Sequence, residues 1–131
     1  VGAWGHGAFE NDDSLDWLAE LEAGRMTVRD ALEAAVAESD DLLEAPEASM
    51  AIAAATLVAA AKDGERTALP DGARAWVDAN GAAAKADVAL AIRAVERVLD
   101  AAGSELAELW ADAETDEWRG DVEALLARLR R

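Results

Sequence analysis

The feature that most limits what this chain can fold into is the run Met50-Ala51-Ile52-Ala53-Ala54-Ala55-Thr56-Leu57-Val58-Ala59-Ala60-Ala61, twelve residues with no charge and a single hydroxyl. Alanine loses no side-chain entropy in a helix, so such a run is helical. A helix that is apolar on every side has no face to offer to water and belongs in the centre of a bundle. At this length it is too short to span a bilayer, which needs ~20 residues. Its methyl side chains let neighbouring backbones approach closely. Pro46 suits the start of this helix, which should reach about Lys62, with Gly64 just beyond its end.

The rest of the chain must then supply amphipathic helices that cover the central one. Leu15, Trp17, Leu18 and Leu21 form one stripe, opened by the cap-forming residues Asn11, Asp12 and Asp13 and closed by Gly24. Thr27 caps a second helix. Its apolar residues Val28, Ala31, Leu32, Ala35 and Val36 recur at helical spacing, and it should end at Ser39-Asp40-Asp41. Leu69-Pro70-Asp71-Gly72 reads as a loop, followed by a short helix with Trp76 and Val77 that stops at Asn80-Gly81. A fifth helix runs from about Ala83 or Asp87 to Ala102 on the stripe Val88, Ile92, Val95 and Leu99. Ser104 caps the next, with Leu106, Leu109, Trp110 and Ala113 inward. Thr115 caps the last, on Trp118, Val122, Leu125, Leu126 and Leu129, with an irregularity expected at Gly120. No stretch alternates apolar and polar residues for long. The expectation is an all-α, single-domain bundle over residues 1–131, of about five to seven helices, with a short Gly/Trp-rich N-terminal hook. Thr56, buried, should bond back to a carbonyl one turn earlier.

A chain of 131 residues fits one domain. It holds 28 acidic and 12 basic residues, one His and no Cys, for a net charge of −16. Phosphates would be repelled, so nucleic acid is not an expected partner. Without cysteine there are no disulfides and no thiolate zinc sites. No basic-then-apolar leader is visible, so a cytoplasmic protein without membrane contact is expected. The charge is uneven: residues 1–50 carry 13 acids and 2 bases, residues 51–100 carry 7 and 6, and residues 101–131 carry 8 and 4. One part of the surface should hold most of the negative field, either as a solvated face or as a docking face for a basic protein partner.

The most distinctive stretch is Gly2-Ala3-Trp4-Gly5-His6-Gly7-Ala8-Phe9-Glu10-Asn11-Asp12-Asp13. Its glycines permit close backbone approach. Trp4 and Phe9 can then anchor a hook on the bundle while Asn11 to Asp13 cap the first helix. Phosphate-loop and dinucleotide spacings do not fit. The EF-hand register puts Leu15 at a ligand position and Asp16 where glycine is required. His6, Glu10, Asp12, Asp13 and Asp16 could still supply hard ligands to a divalent cation, although Glu-x-x-His pairs are absent. No nucleophile–base pair can be chosen from spacing.

That opening, continuing into Leu15-Asp16-Trp17, resembles the bacterial domain-of-unknown-function 4259 family. Ser104-Glu105-Leu106-Ala107-Glu108-Leu109-Trp110 with Trp118 resembles the family's C-terminal pattern. The resemblance implies a small single domain without an assigned activity. It also implies a Glu in the third helix where this chain has Thr56, so a role built on that carboxylate does not transfer.

Two functional expectations follow. The first is a non-enzymatic protein-binding module, an inhibitor or immunity-type partner, needing no cofactor. Trp4 and Trp76 lie outside the clearest stripes and are the better interface residues. The second is a metal-dependent enzyme or sensor using the N-terminal His/Asp cluster. The candidate binding residues are Trp4, His6, Phe9, Asn11, Asp12, Asp13, Asp16 and Trp76. No metal and no oligomeric state is assigned.

Overall fold

The apolar run becomes the middle of α3, Ala45–Asp63, and Pro46 sits in its first turn. Residues Ala51–Ala55 and Leu57–Ala60 are all buried, which leaves α3 no wet face along its middle. In this computed structural model, which describes residues 7–37, 42–66, 69–100, 103–111 and 117–131, six other helices surround it. They are α1 (Asp12–Glu22), α2 (Val28–Val36), α4 (Asp71–Ala84), α5 (Val88–Leu99), α6 (Glu105–Ala111) and α7 (Glu117–Arg130). A 3-10 turn, Lys85–Asp87, joins α4 to α5. Each of the six touches α3. The architecture is a single all-α bundle with α3 as its axis, and the described residues hold no strand. None of its described helices is long and apolar enough to cross a membrane.

The helix ends follow local chemistry. Asn11 caps α1, its Oδ1 accepting from the Ser14 N–H at 2.8 Å. Gly24, at φ +79°, closes α1 in the left-handed conformation, with the Arg25 N–H on the Glu20 carbonyl at 2.9 Å. Thr27 caps α2 through the Asp30 N–H at 3.0 Å. Gly64, at φ +77°, ends α3. Ser104 caps α6 through the Ala107 N–H at 3.3 Å.

The start of α3 is closed by tertiary contact instead. Leu43 and Ser104 form an isolated parallel bridge, and the Glu105 carboxylate accepts the Ala45 N–H at 2.8 Å. An acidic side chain from α6 thus supplies the cap that α3 lacks in its own sequence.

Several sequence expectations are corrected. α4 is a full helix of 14 residues. Asp71 and Gly72 lie in its first turn, and it runs on through Asn80-Gly81, where Gly81 packs beside Ala61 of α3. α2 stops at Val36, with Ala37 extended, and Ser39 to Asp41 lie outside the described residues. On α5 the deepest line is Ala91, Ala94, Val95 and Val98, and Val88, Ile92 and Leu99 flank it half-buried. Small residues take the line of closest helix approach, and larger ones pack beside it. α5 ends at Leu99, before the expected Ala102, which with Thr115 and Ala113 lies outside the described residues.

Leu109, expected inward, is 60% exposed. The short α6 seats only Leu106 and Ala107 in the core. Trp110 is half-buried and stacks on Trp118, ring centroids 6.3 Å apart. The inward stripe of α7 is as expected, all five residues buried. Gly120 does not break that helix, and a Cβ there would meet only open space. Thr56 donates to the Ile52 carbonyl at 2.7 Å, but it is half-buried rather than fully buried.

Candidate functional site

The N-terminal stretch forms a tight turn before α1. The Glu10 N–H donates to the Gly7 carbonyl at 3.1 Å, and the Gly7 N–H donates to the Glu10 carboxylate at 3.2 Å. A Cβ at residue 7 would meet only the exposed Glu10 side chain, which can swing aside at the loss of that hydrogen bond. The turn lowers Phe9 into the core. One of the two expected anchors of the hook is therefore packed inside and unavailable to a partner. Trp4 and His6 lie outside the described residues.

Asn11 is the cap of α1, and Asp13, expected to share that role, is instead a half-buried residue of the first turn. Ser14, fully buried, donates through its hydroxyl to the Ser49 carbonyl at 3.2 Å and ties α1 to α3. Asp12 and Asp16 are exposed on successive turns. Among the described residues no three acidic or imidazole side chains come together to hold a metal ion. Trp76 is half-buried, packed on the core from α4. The approach of α1 to α4 runs through Glu22 and Gly72, at the opposite end of α1 from Asp12. Of the eight candidates, then, Asn11 and Phe9 hold the fold, Asp12, Asp13 and Asp16 line the start of α1, and Trp76 stands on another helix.

Sequence spacing did not disclose a second region. The end of α2, the segment Leu42-Leu43 and the first turn of α3 enclose a cleft of about 250 Å3. Ala34, Ala35 and Leu43 form its floor, and Glu44 and Glu47 stand exposed on its rim. Leu42 lines it too, 43% exposed, while the neighbouring Leu43 is buried. Arg97 reaches the same cleft, and its guanidinium donates to the Gly103 carbonyl at 2.5 Å. Two adjacent leucines show no period, so only the chain path decides which one faces out.

The electrostatics of the first half follow from its two arginines. Arg25 is held by Glu20 at 2.5 Å, and that hydrogen bond draws the Glu20 carboxyl below its ordinary range. Arg29 is held by Asp87 at 2.7 Å, which raises the already high pKa of its guanidinium. Asp87 is itself buried, so this pair fastens α2 to the 3-10 turn. Both cations are thus paired within the chain although their side chains stay exposed, and Asp12, Asp16, Asp30, Glu44 and Glu47 are exposed as well.

The family model for the domain of unknown function DUF4259 matches residues 2–121. No curated protein and no solved structure matches the chain.

Proposed function

The chain belongs to the DUF4259 family, domains of unknown function, and on that premise we propose that it is a non-enzymatic protein-binding module, an inhibitor or immunity-type partner, that docks a basic protein on the acidic surface of its first half. The observation that carries this reading is the pairing of charge with place. Residues 1–50 hold 13 acids against 2 bases, and both of those bases are held by Glu20 and Asp87. A surface of this kind steers a cationic partner and raises its rate of encounter. The cleft at Leu42, rimmed by Glu44 and Glu47 with Arg97 turned to the Gly103 carbonyl, adds an apolar contact beside these acids. Interfaces commonly combine such a contact with a polar rim.

The test is capture from a native extract by the wild-type chain and by a Glu44→Lys, Glu47→Lys variant. Both residues are exposed but lie at the start of α3, where cations oppose the helix dipole, so the variant should fold with only a modestly altered melting temperature, measured alongside. A basic protein should be retained by the wild type, released by salt and lost with the variant. Recovery of the same proteins by both would overturn the assignment of this surface.

A further inference from the structure

Elsewhere on the molecule one cleft is lined by more cations than anions. Beside α7, where it meets the end of α5, lies an open cleft of about 520 Å3. Leu99, Leu126 and Ala127 form its floor, and Arg119, Arg130 and Arg131 stand around it. Three of the chain's 12 basic residues therefore line one depression in a molecule of net charge −16. Arg119, Leu126 and Arg130 are seven and eleven residues apart along α7, which places them on one helix face. Arg130 bonds Glu96 of α5 at 2.5 Å while staying about half exposed, so its guanidinium keeps donors for another acceptor. Arg119 and Arg131 make no ion pair among the described residues. Glu123 also lines the cleft and Glu96 pairs with Arg130, so three cations against two carboxylates leave an excess of one positive charge there.

We propose that this cleft docks an acidic amphipathic helix of a partner protein. The helix lies along α7, its apolar residues on exposed Ala127, half-buried Leu99 and the edge of the otherwise buried Leu126, and its carboxylates over Arg119 at one end and Arg130 and Arg131 at the other. The argument for this occupant is charge complementarity. Forked guanidinium groups beside an aliphatic floor match carboxylates beside aliphatic side chains, as in helix-in-groove recognition. Arg119 and Arg130 are about 16 Å apart along the axis at ~1.5 Å per residue, so the partner's acids are about three turns apart. The two clefts have only the end of α5 in common, through Arg97 on one and Leu99 on the other, and neither assignment rests on the other.

The test uses the full chain and a dye-labelled synthetic helical peptide, with Glu at both ends of one face and Leu between. A scrambled peptide of the same composition is the control, and binding is read by fluorescence anisotropy near physiological salt. The patterned peptide should bind saturably and the scrambled one should not. Arg119→Glu should weaken binding about tenfold, through loss of one charge pair and gain of one repulsion. Lys85→Glu, the same charge change near the start of α5, should leave it unaltered. Both residues are exposed, so the melting temperatures should stay with the wild type. Equal binding of the two peptides, no binding at all, or an Arg119→Glu variant that binds like the wild type would overturn the proposal. So would sedimentation showing that the chain alone forms a dimer that Arg119→Glu dissociates, because the cleft would then belong to a second copy.

Discussion

At the scale of single residues, the opening of α1 shows how neighbouring polar side chains divide a task. Asn11, Asp12 and Asp13 are all able to cap a helix, and composition alone does not choose among them. The choice falls on Asn11 because Phe9 must enter the core two residues earlier, which sets where the helix can start. Asn11→Ala should therefore cost about 1 kcal/mol in urea unfolding, the usual loss for a cap. Asp13→Ala should cost no more than about 0.5 kcal/mol, since it removes only a charge near the positive end of the helix. The reverse order would show that Asp13 is the cap in solution. Phe9 itself was legible as an anchor, because a large aromatic among glycines has few other uses. Leu42 and Leu109 were not legible as exposed residues, because exposure is a property of what the neighbours leave open.

Between elements, the strongest polar tie joins the ends of α3 and α7. The Arg128 guanidinium grips both Asp63 oxygens at 2.9 Å and also reaches the Glu65 carbonyl, while Lys62 donates to the Arg128 carbonyl at 2.8 Å. The hydrogen bond from Arg128 holds the Asp63 carboxyl below its ordinary value of 3.8. A carboxyl lowered in the folded state contributes stability above its unfolded pKa and loses it as pH falls through the folded one. Asp63→Asn should accordingly flatten the decline in stability from about pH 4 to about pH 2, where carboxylates take up protons. Arg128→Ala should cost about 1 kcal/mol at neutral pH, since the pair is only partly shielded from water. Urea midpoints across that pH range that fall in parallel for wild type and Asp63→Asn would show that the clamp adds nothing. The helices it joins were visible in the sequence through their apolar spacing. Their partnership was not, because residues 65 positions apart meet only once α3 has been enclosed.

Across the whole molecule, a net charge of −16 works against compactness. Salt should therefore stabilise it: at ~0.1 M the screening length falls to about 10 Å, shorter than most distances between its surface acids. The melting temperature should rise by a few degrees between about 10 mM and about 200 mM sodium chloride, since ~1 kcal/mol moves a domain of this size by about that much. Magnesium chloride at matched ionic strength should do no more, as expected if the acids of α1 act only through their field. A saturable rise with magnesium alone, removed by Asp13→Asn, would instead make them a cation site. The all-α bundle, its central helix and most of its caps could be read from residue order, because helix propensity, apolar period and capping act over one to three turns of chain. Where α4 ends, which leucine faces out, how Glu105 caps a helix far from it in sequence, and how three arginines gather beside one cleft depend on which surfaces close on α3. Those outcomes come from packing contacts between distant segments, and no local pattern encodes them.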